Sequence, residues 1–380
     1  MLSCFFSVMT GKNQPVRIFF LEENCMKKLL KAAILAGAIG ASAANGFALD
    51  YKPEIDPKPV DSKATKEAVR LKKYLSEIYG TKMISGQMDL TWRDSVDMAE
   101  KVFKDTGKYP ALMGYDFMNY VGGGGEGMKQ VEEAIAWWKK GGIVTFTWHW
   151  RGPGRVKEFY TEKNNFSIPY NAITETLEKD TNQFKYIQRD LDVIAKHLKR
   201  LQDAGVPVLW RPLHEASGND GDAWFWWGAS GSGAYIALYR HMYDYFTNEK
   251  GLHNLIWVWN GQNIDWYPGD DVVDIMGTDI YEENHRAQKG KFEETFMMSD
   301  SPYENEKMVA LTECGSIPDP DEMQRDGVYW LYFMVWNDTD AKGRDKSNFW
   351  EGGYWNDDEF KKKVYGSDFV ITLDKLPDLK

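Results

Sequence analysis

The chain has 380 residues, 43% of them hydrophobic and 14% aromatic, and a formal charge of −11. Such a composition excludes a disordered or collagen-like chain and supplies apolar surface for a full core. The acidic balance also excludes a protein that grips nucleic acid, because its surface repels the phosphate backbone.

From Met26 the chain runs MKKLLKAAILAGAIGASAANGFALD, a lysine-rich start, an apolar segment through Ile39 and the small residues Ala41, Ser42 and Ala43. This order predicts a secretory signal cleaved near Ala43 or Ala48, and hence a secreted or periplasmic protein. Met26 reads as the initiator and residues 1–25 as an over-long start. The apolar segment is too short to span a bilayer, and no later stretch approaches the roughly eighteen uninterrupted apolar residues a span needs. Residues 1–48 are therefore assigned to a leader and 49–380 to one folded domain, expected to act as a monomer. Two of the three cysteines, Cys4 and Cys25, fall in the leader, so only Cys314 remains and no internal disulfide is expected.

Past residue 80, eight short apolar runs recur. They are KMISGQM at Lys82, PALMGYD at Pro110, GGIVTFTWHW at Gly141, VPVLWRPLHE at Val206, NLIWVWNGQN at Asn254, VVDIMGTDIY at Val272, KMVALTECG at Lys307 and VYWLYFMVW at Val328. Amphipathic stretches lie between them. In the clearest, Ile187, Leu191, Ile194, Leu198 and Leu201 step at helical spacing toward Gly205, a helix stop. Val131, Ile135 and Trp138 mark a second helix, and Ala234 to Phe246 a third. Continuous apolar strands alternating with helices imply a parallel sheet covered by helices, and eight such units predict a closed (β/α)8 barrel, an α/β TIM-barrel fold. The rival, an open doubly wound sheet, lacks a glycine-rich nucleotide fingerprint after its first strand.

In such a barrel, polar residues at the C-terminal ends of strands face the active site. The sequence repeats this pattern: His149 ends the third run, Arg211, His214 and Glu215 the fourth, Asn260 and Gln262 the fifth. Asp279 and Tyr281 end the sixth, Glu313 the seventh, Trp336 and Asn337 the eighth. Glu215 and Glu313 are thereby set across one barrel mouth. Paired carboxylates are what glycoside hydrolysis needs, one to protonate the leaving oxygen and one to attack the anomeric carbon or activate water. The plainer reading of Glu215 alone is an ion pair with Arg211. Ten tryptophans, at 148, 150, 224, 226, 227, 257, 259, 266, 330 and 336, crowd near the strand ends; each taken singly reads as core, but the cluster predicts an elongated apolar site for stacking on sugar rings.

WRPLHE followed by WFWWG, then GTDIY and TECG, resembles glycoside hydrolase family 26, whose best-known members are secreted endo-β-1,4-mannanases. The resemblance covers about residues 80–340, and its His-Glu pair is specific, since other families of the clan usually carry Asn-Glu there. It implies a retaining double displacement on a β-mannan polysaccharide, with Glu215 as acid/base and Glu313 as nucleophile, and no cofactor. By the same resemblance His214 helps hold the site and His149 lies in the subsite on the non-reducing side of the scissile bond. Trp224 is the tryptophan that follows the acid/base, Asp279 and Tyr281 form a D-x-Y whose tyrosine contacts the nucleophile, and Trp336 is the aromatic floor. One departure stands out: ASGNDGDA between Glu215 and WFWWG is longer than the family spacer, so Trp224 is placed by motif and not by distance. In this reading Tyr281 keeps the Glu313 pKa low, while burial among tryptophans raises that of Glu215.

Other readings carry less. No H-E-x-x-H and no Cys/His cluster supports a metal among His149, His214, Glu215 and Asp279. GGGGEG at Gly122 lacks the Lys-Ser/Thr of a phosphate cradle and reads as a loop flanking the cleft, and Asp319 and Asp321 read as turn residues. Cys314 reads as small packing under the site. A capture protein that binds polysaccharide without cleaving it would keep the tryptophans and could dispense with the glutamates. Mixed-linkage β-glucan and β-1,3-xylan are the alternative substrates.

Overall fold

The computed structural model describes residues 55–90, 97–122, 128–154, 156–218, 222–296, 307–338 and 346–380. The leader, residues 1–48, and residues 123–127 of the GGGGEG run lie outside them.

Each of the eight apolar runs contains a parallel strand: β1 (Met83–Met88), β2 (Leu112–Asp116), β3 (Ile143–Thr147), β6 (Val208–Arg211), β7 (Leu255–Trp259), β8 (Ile275–Ile280), β9 (Met308–Cys314) and β10 (Tyr332–Val335). They pair in chain order, and β10 pairs with β1 to close the sheet. The closed eight-stranded barrel with helices between its strands is a TIM barrel, as the alternation of the sequence predicted. Closure depends on one close approach. A Cβ on Gly86 of β1 would sit 2.3 Å from the carbonyl oxygen of Phe333 in β10, so only glycine lets these strands meet.

Helices α1 (Lys66–Ile78), α2 (Met98–Thr106), α3 (Gln130–Lys140), α4 (Asn182–Asp203), α5 (Ser232–Asp244), α6 (Lys289–Phe296), α7 (Pro320–Asp326) and α8 (Asp358–Gly366) surround it. In α4, Thr181 caps the start by accepting from the Phe184 amide, and Ile187, Leu191, Ile194, Leu198 and Leu201 form its buried face. Each such side chain contributes about 1.5–3 kcal/mol when removed from water. Gly205, at φ 70°, sits just past the helix end, as its position predicted. Between β7 and β8 the described residues hold only two 3-10 turns, Ile264–Trp266 and Asp270–Val272, where a regular barrel has a helix.

Several features escaped the sequence reading. Asp319 and Asp321 are not turn residues: Asp319 caps α7, accepting from the Asp321 amide, with Pro320 in the first turn. A short antiparallel hairpin, β4 (Tyr170–Asn171) with β5 (Thr176–Leu177), interrupts the β3–α4 connection. A two-residue strand, β11 (Val370–Ile371), pairs in parallel with the first two residues of β1, Met83 and Ile84. At the end of the barrel opposite the strand C-termini, buried Lys72 of α1 pairs with buried Asp274 at 3.9 Å, and Asp274 also accepts from the amides of Val60 and Trp257, both at 2.9 Å. No helix among the described residues is long and apolar enough to cross a membrane.

Candidate active site

Each selected polar residue sits where its strand ends. Glu313 is the penultimate residue of β9, Asp279 lies near the end of β8 and Arg211 ends β6. The guanidinium of Arg211 donates to a Glu313 oxygen and, at 3.2 Å, to Asp279. Arg211 therefore pairs with Glu313 and Asp279, rather than with Glu215 as the simplest ion-pair reading had it. Asp279 is held in turn by the Asn260 amide at 2.7 Å and the Thr312 hydroxyl at 2.6 Å. The Tyr281 hydroxyl donates to the second oxygen of Glu313 at 2.6 Å, although the residue as a whole is 40% exposed.

Glu215 comes from a strained turn. Leu213 and Glu215 have φ of 53° and 51°, a left-handed backbone that costs non-glycine residues of order 1–3 kcal/mol. The surroundings hold it in place: the Glu215 amide donates to the Asn260 backbone oxygen at 2.7 Å and lies 3.1 Å from the Asn260 side-chain oxygen. This strain aims the carboxyl across the mouth, where one oxygen each of Glu215, Asp279 and Glu313 lies within 4.8 Å of the others. The indole N–H of Trp224 donates to Glu215 at 2.9 Å, so the ring that the motif singled out does reach this carboxylate.

The carboxyls do not titrate as ordinary surface groups. Burial pushes Glu215 well above the usual range, and the negative charges of Asp279 and Glu313 push it further. Glu313 is also pushed up, to about 7, by burial and then by Asp279; Arg211, His149 and the Tyr281 hydroxyl pull it back. This corrects the expectation of a depressed Glu313. The Tyr281 bond is present, but one hydrogen bond does not offset burial beside a second carboxylate. The order of the two groups follows from their partners, since Arg211 lies against Glu313 and not Glu215.

The rings of His149 and His214 are inclined at 73°, with their Nε2 atoms 3.2 Å apart. On its other side His149 Nδ1 lies 2.5 Å from Oδ2 of Asp116, whose Oδ1 accepts the backbone amides of His149 at 3.0 Å and Met118 at 2.8 Å. Both ring nitrogens of His149 are thus occupied within the protein. His214 Nδ1 lies 3.2 Å from the Thr147 hydroxyl, and its backbone oxygen accepts from Trp227 at 2.8 Å. Burial, with the charges of His149 and Arg211, holds His214 well below the usual histidine range, so it is neutral. Asp116 was missed by the sequence reading although it ends β2, where the strand-end rule could have found it.

The tryptophans need a correction. Trp148, Trp150, Trp226, Trp227, Trp257, Trp259 and Trp330 are at most 1% exposed, and Trp266 is buried as well. They fill the core instead of lining a cleft. Only Trp224 and Trp336 of the ten are half-buried, and the Trp336 ring packs 5.7 Å from His149. Glu215, Asp279 and Glu313 form an all-oxygen donor set of the kind that takes a hard cation. However, the Arg211 guanidinium already supplies the positive charge among them, so the set does not suit a metal ion.

A sequence profile of glycosyl hydrolase family 26 matches residues 60–375. The chain belongs to glycosyl hydrolase family 26. Within family 26, it is 41% identical over 316 residues to a mannan endo-1,4-β-mannosidase of Thermothelomyces thermophilus, a match covering 80% of this chain and 60% of that one. It is 34% identical over 340 residues to mannan endo-1,4-β-mannosidase B of a Piromyces species, covering 87% and 55%. The chain therefore spans little more than half the length of these curated relatives. Among solved structures, a GH26-CBM35 β-(1,4)-mannanase of Podospora anserina superposes with a TM-score of 0.77 at 36% identity, covering 88% of this chain and 72% of that one. A β-mannanase from a symbiotic protist of the termite Reticulitermes speratus, complexed with a gluco-manno-oligosaccharide, gives 0.73 at 35%, covering 86% and 100%.

Proposed function

We propose that this chain is a secreted, monomeric, retaining endo-β-1,4-mannanase that hydrolyses internal bonds of mannan, galactomannan or glucomannan, with residues 49–380 as its catalytic domain. The observation that carries the mechanism is the convergence of the Glu215 and Glu313 carboxyls, with oxygens within 4.8 Å of one another. Retaining glycosidases place their carboxyls about 5–5.5 Å apart, whereas inverting ones leave about 6.5–9.5 Å for a water. The substrate follows from the names of the relatives, one of which carries a gluco-manno-oligosaccharide.

In this reading Glu215, the carboxyl with the higher pKa, enters the reaction protonated and gives its proton to the leaving oxygen. Glu313, ionised and steadied by Arg211 and Tyr281, attacks the anomeric carbon and forms a glycosyl ester. Esterification removes the Glu313 charge, so Glu215 can ionise and act as base toward water. The Trp224 indole then donates to a full carboxylate. The test is reducing-sugar release from locust bean mannan, mixed-linkage β-glucan and β-1,3-xylan, with proton NMR following the first anomer formed. Release from mannan with the β-anomer first is expected. Silence on all three substrates, with binding to one, would point instead to a capture protein.

A further inference from the structure

We propose that Asp116 and His149 form a buried carboxylate–imidazolium pair, with His149 protonated on both ring nitrogens, and that Asp116 is a positioning residue keeping this charge beside Glu313. The argument is a count of protons along one chain of contacts. Asp116 is 2% exposed and, as a carboxylate, can only accept, so Nδ1 of His149, 2.5 Å away, carries a proton. At the far end, the Thr147 hydroxyl gives its one proton to the Arg211 backbone oxygen at 3.1 Å. Toward His214 Nδ1, at 3.2 Å, it can then only accept, so Nδ1 of His214 is protonated.

Neutral His214 therefore presents a lone pair at Nε2. The 3.2 Å contact between the two Nε2 atoms is a hydrogen bond only if His149 supplies the proton. His149 then carries two protons, and Asp116 balances its charge where it is 7% exposed. Isolated charges at such depth are costly, and the short hydrogen bond between the pair with two further amide donors on the carboxylate offsets part of that cost.

The charge has a use at the nucleophile. His149 is faced by Asp116 from β2, by His214 after β6 and, through space, by Glu313 on β9, whose pKa it lowers. Glu313 is also faced by Arg211, Asp279, Tyr281 and Glu215. Among these, His149 joins Arg211 and Tyr281 in favouring the ionised form.

The test uses the full chain and two readouts. Ring nitrogen–proton correlation spectra of 15N-histidine protein, with His149 assigned by loss of its signals in His149→Gln, should show both His149 nitrogens protonated at neutral pH. In Asp116→Asn they should revert to a one-proton pattern. A one-proton His149 in the wild type, with Thr147 donating to His214 instead, overturns the proposal. This readout stands apart from activity, so it decides the question whether or not the mannanase reading holds. The second readout, which rests on Glu313 being the nucleophile, is the acid limb of kcat/KM. In Asp116→Asn it should move up by about one pH unit, because Glu313 loses a neighbouring positive charge. A limb that stays put or moves down contradicts the pair, since a downward shift would mean His149 keeps its charge without Asp116.

Discussion

The indole N–H of Trp224 donates to the Glu215 carboxylate at 2.9 Å, although nine positions separate the two residues in the chain. A donor aimed at a carboxylate favours its charged form. Trp224→Phe keeps an aromatic ring and deletes the donor, so Glu215 should bind its proton more tightly. The basic limb of kcat/KM should then move to higher pH. Because Glu215 must also ionise to activate water, kcat should fall on the order of tenfold, the scale of one hydrogen bond to a charged group. Unchanged limbs in a full pH profile would show that the contact is packing alone.

Arg211 is the one guanidinium among three carboxyls at the described mouth, touching both Glu313 and Asp279. Arg211→Met leaves two buried carboxyls without their cation, at a cost of about 3–5 kcal/mol in denaturant unfolding. Since Arg211 lowers the Glu313 pKa, its loss moves the acid limb up, and activity at pH 6 should drop tenfold or more. Wild-type stability in this variant would refute the assigned role.

Stability should also depend on pH with a definite sign. Glu313 has a folded pKa of about 7, above its ordinary 4.5, so the folded state holds a proton that the unfolded chain has released in that window. The stabilisation this group contributes is present below pH 4.5 and is lost as pH rises through 7. Glu313→Gln removes the titration. Melting curves at pH 4.5 and pH 8 should therefore differ less in the variant than in the wild type, and an equal difference would count against a raised pKa.

Lys72 offers a contrast far from the mouth. Its ion pair with Asp274 joins α1 to the opposite end of the barrel. Lys72→Met strands a buried carboxylate and should cost about 3 kcal/mol in unfolding free energy, while leaving KM and both pH limbs as they are. A shifted pH profile would mean that the two ends of the barrel are coupled.

These contacts divide into those legible in the sequence and those that are not. All eight barrel strands were readable because each is a short, mostly apolar run with few charges, the mark of a strand buried on both faces, although β1 carries Ser85 and Gln87. β11, with only Val370 and Ile371, is too short to carry any period. Composition counts tryptophans but not the side of a strand they face, so Trp257 and Trp259 could pass for cleft residues while lying wholly in the core. Asp116 ends β2 as His149 follows β3, so the strand-end rule marks it as a candidate, but it matched no motif, and its 2.5 Å contact with His149 is what gives it a partner. The Glu313 pKa turns on burial and on Asp279 two strand positions from Tyr281, and sequence spacing does not measure burial.

The central claim is that Glu215 is the acid/base and Glu313 the nucleophile of a retaining reaction. The most direct measurement is the action of Glu215→Ala on an activated aryl β-mannobioside with added azide, with NMR identification of the sugar product. Azide can enter the space the carboxylate vacated and attack the Glu313 ester, so rescued turnover yielding a β-glycosyl azide is the expected result. An α-glycosyl azide, or rescue of Glu313→Ala to the β-product, would contradict the assignment.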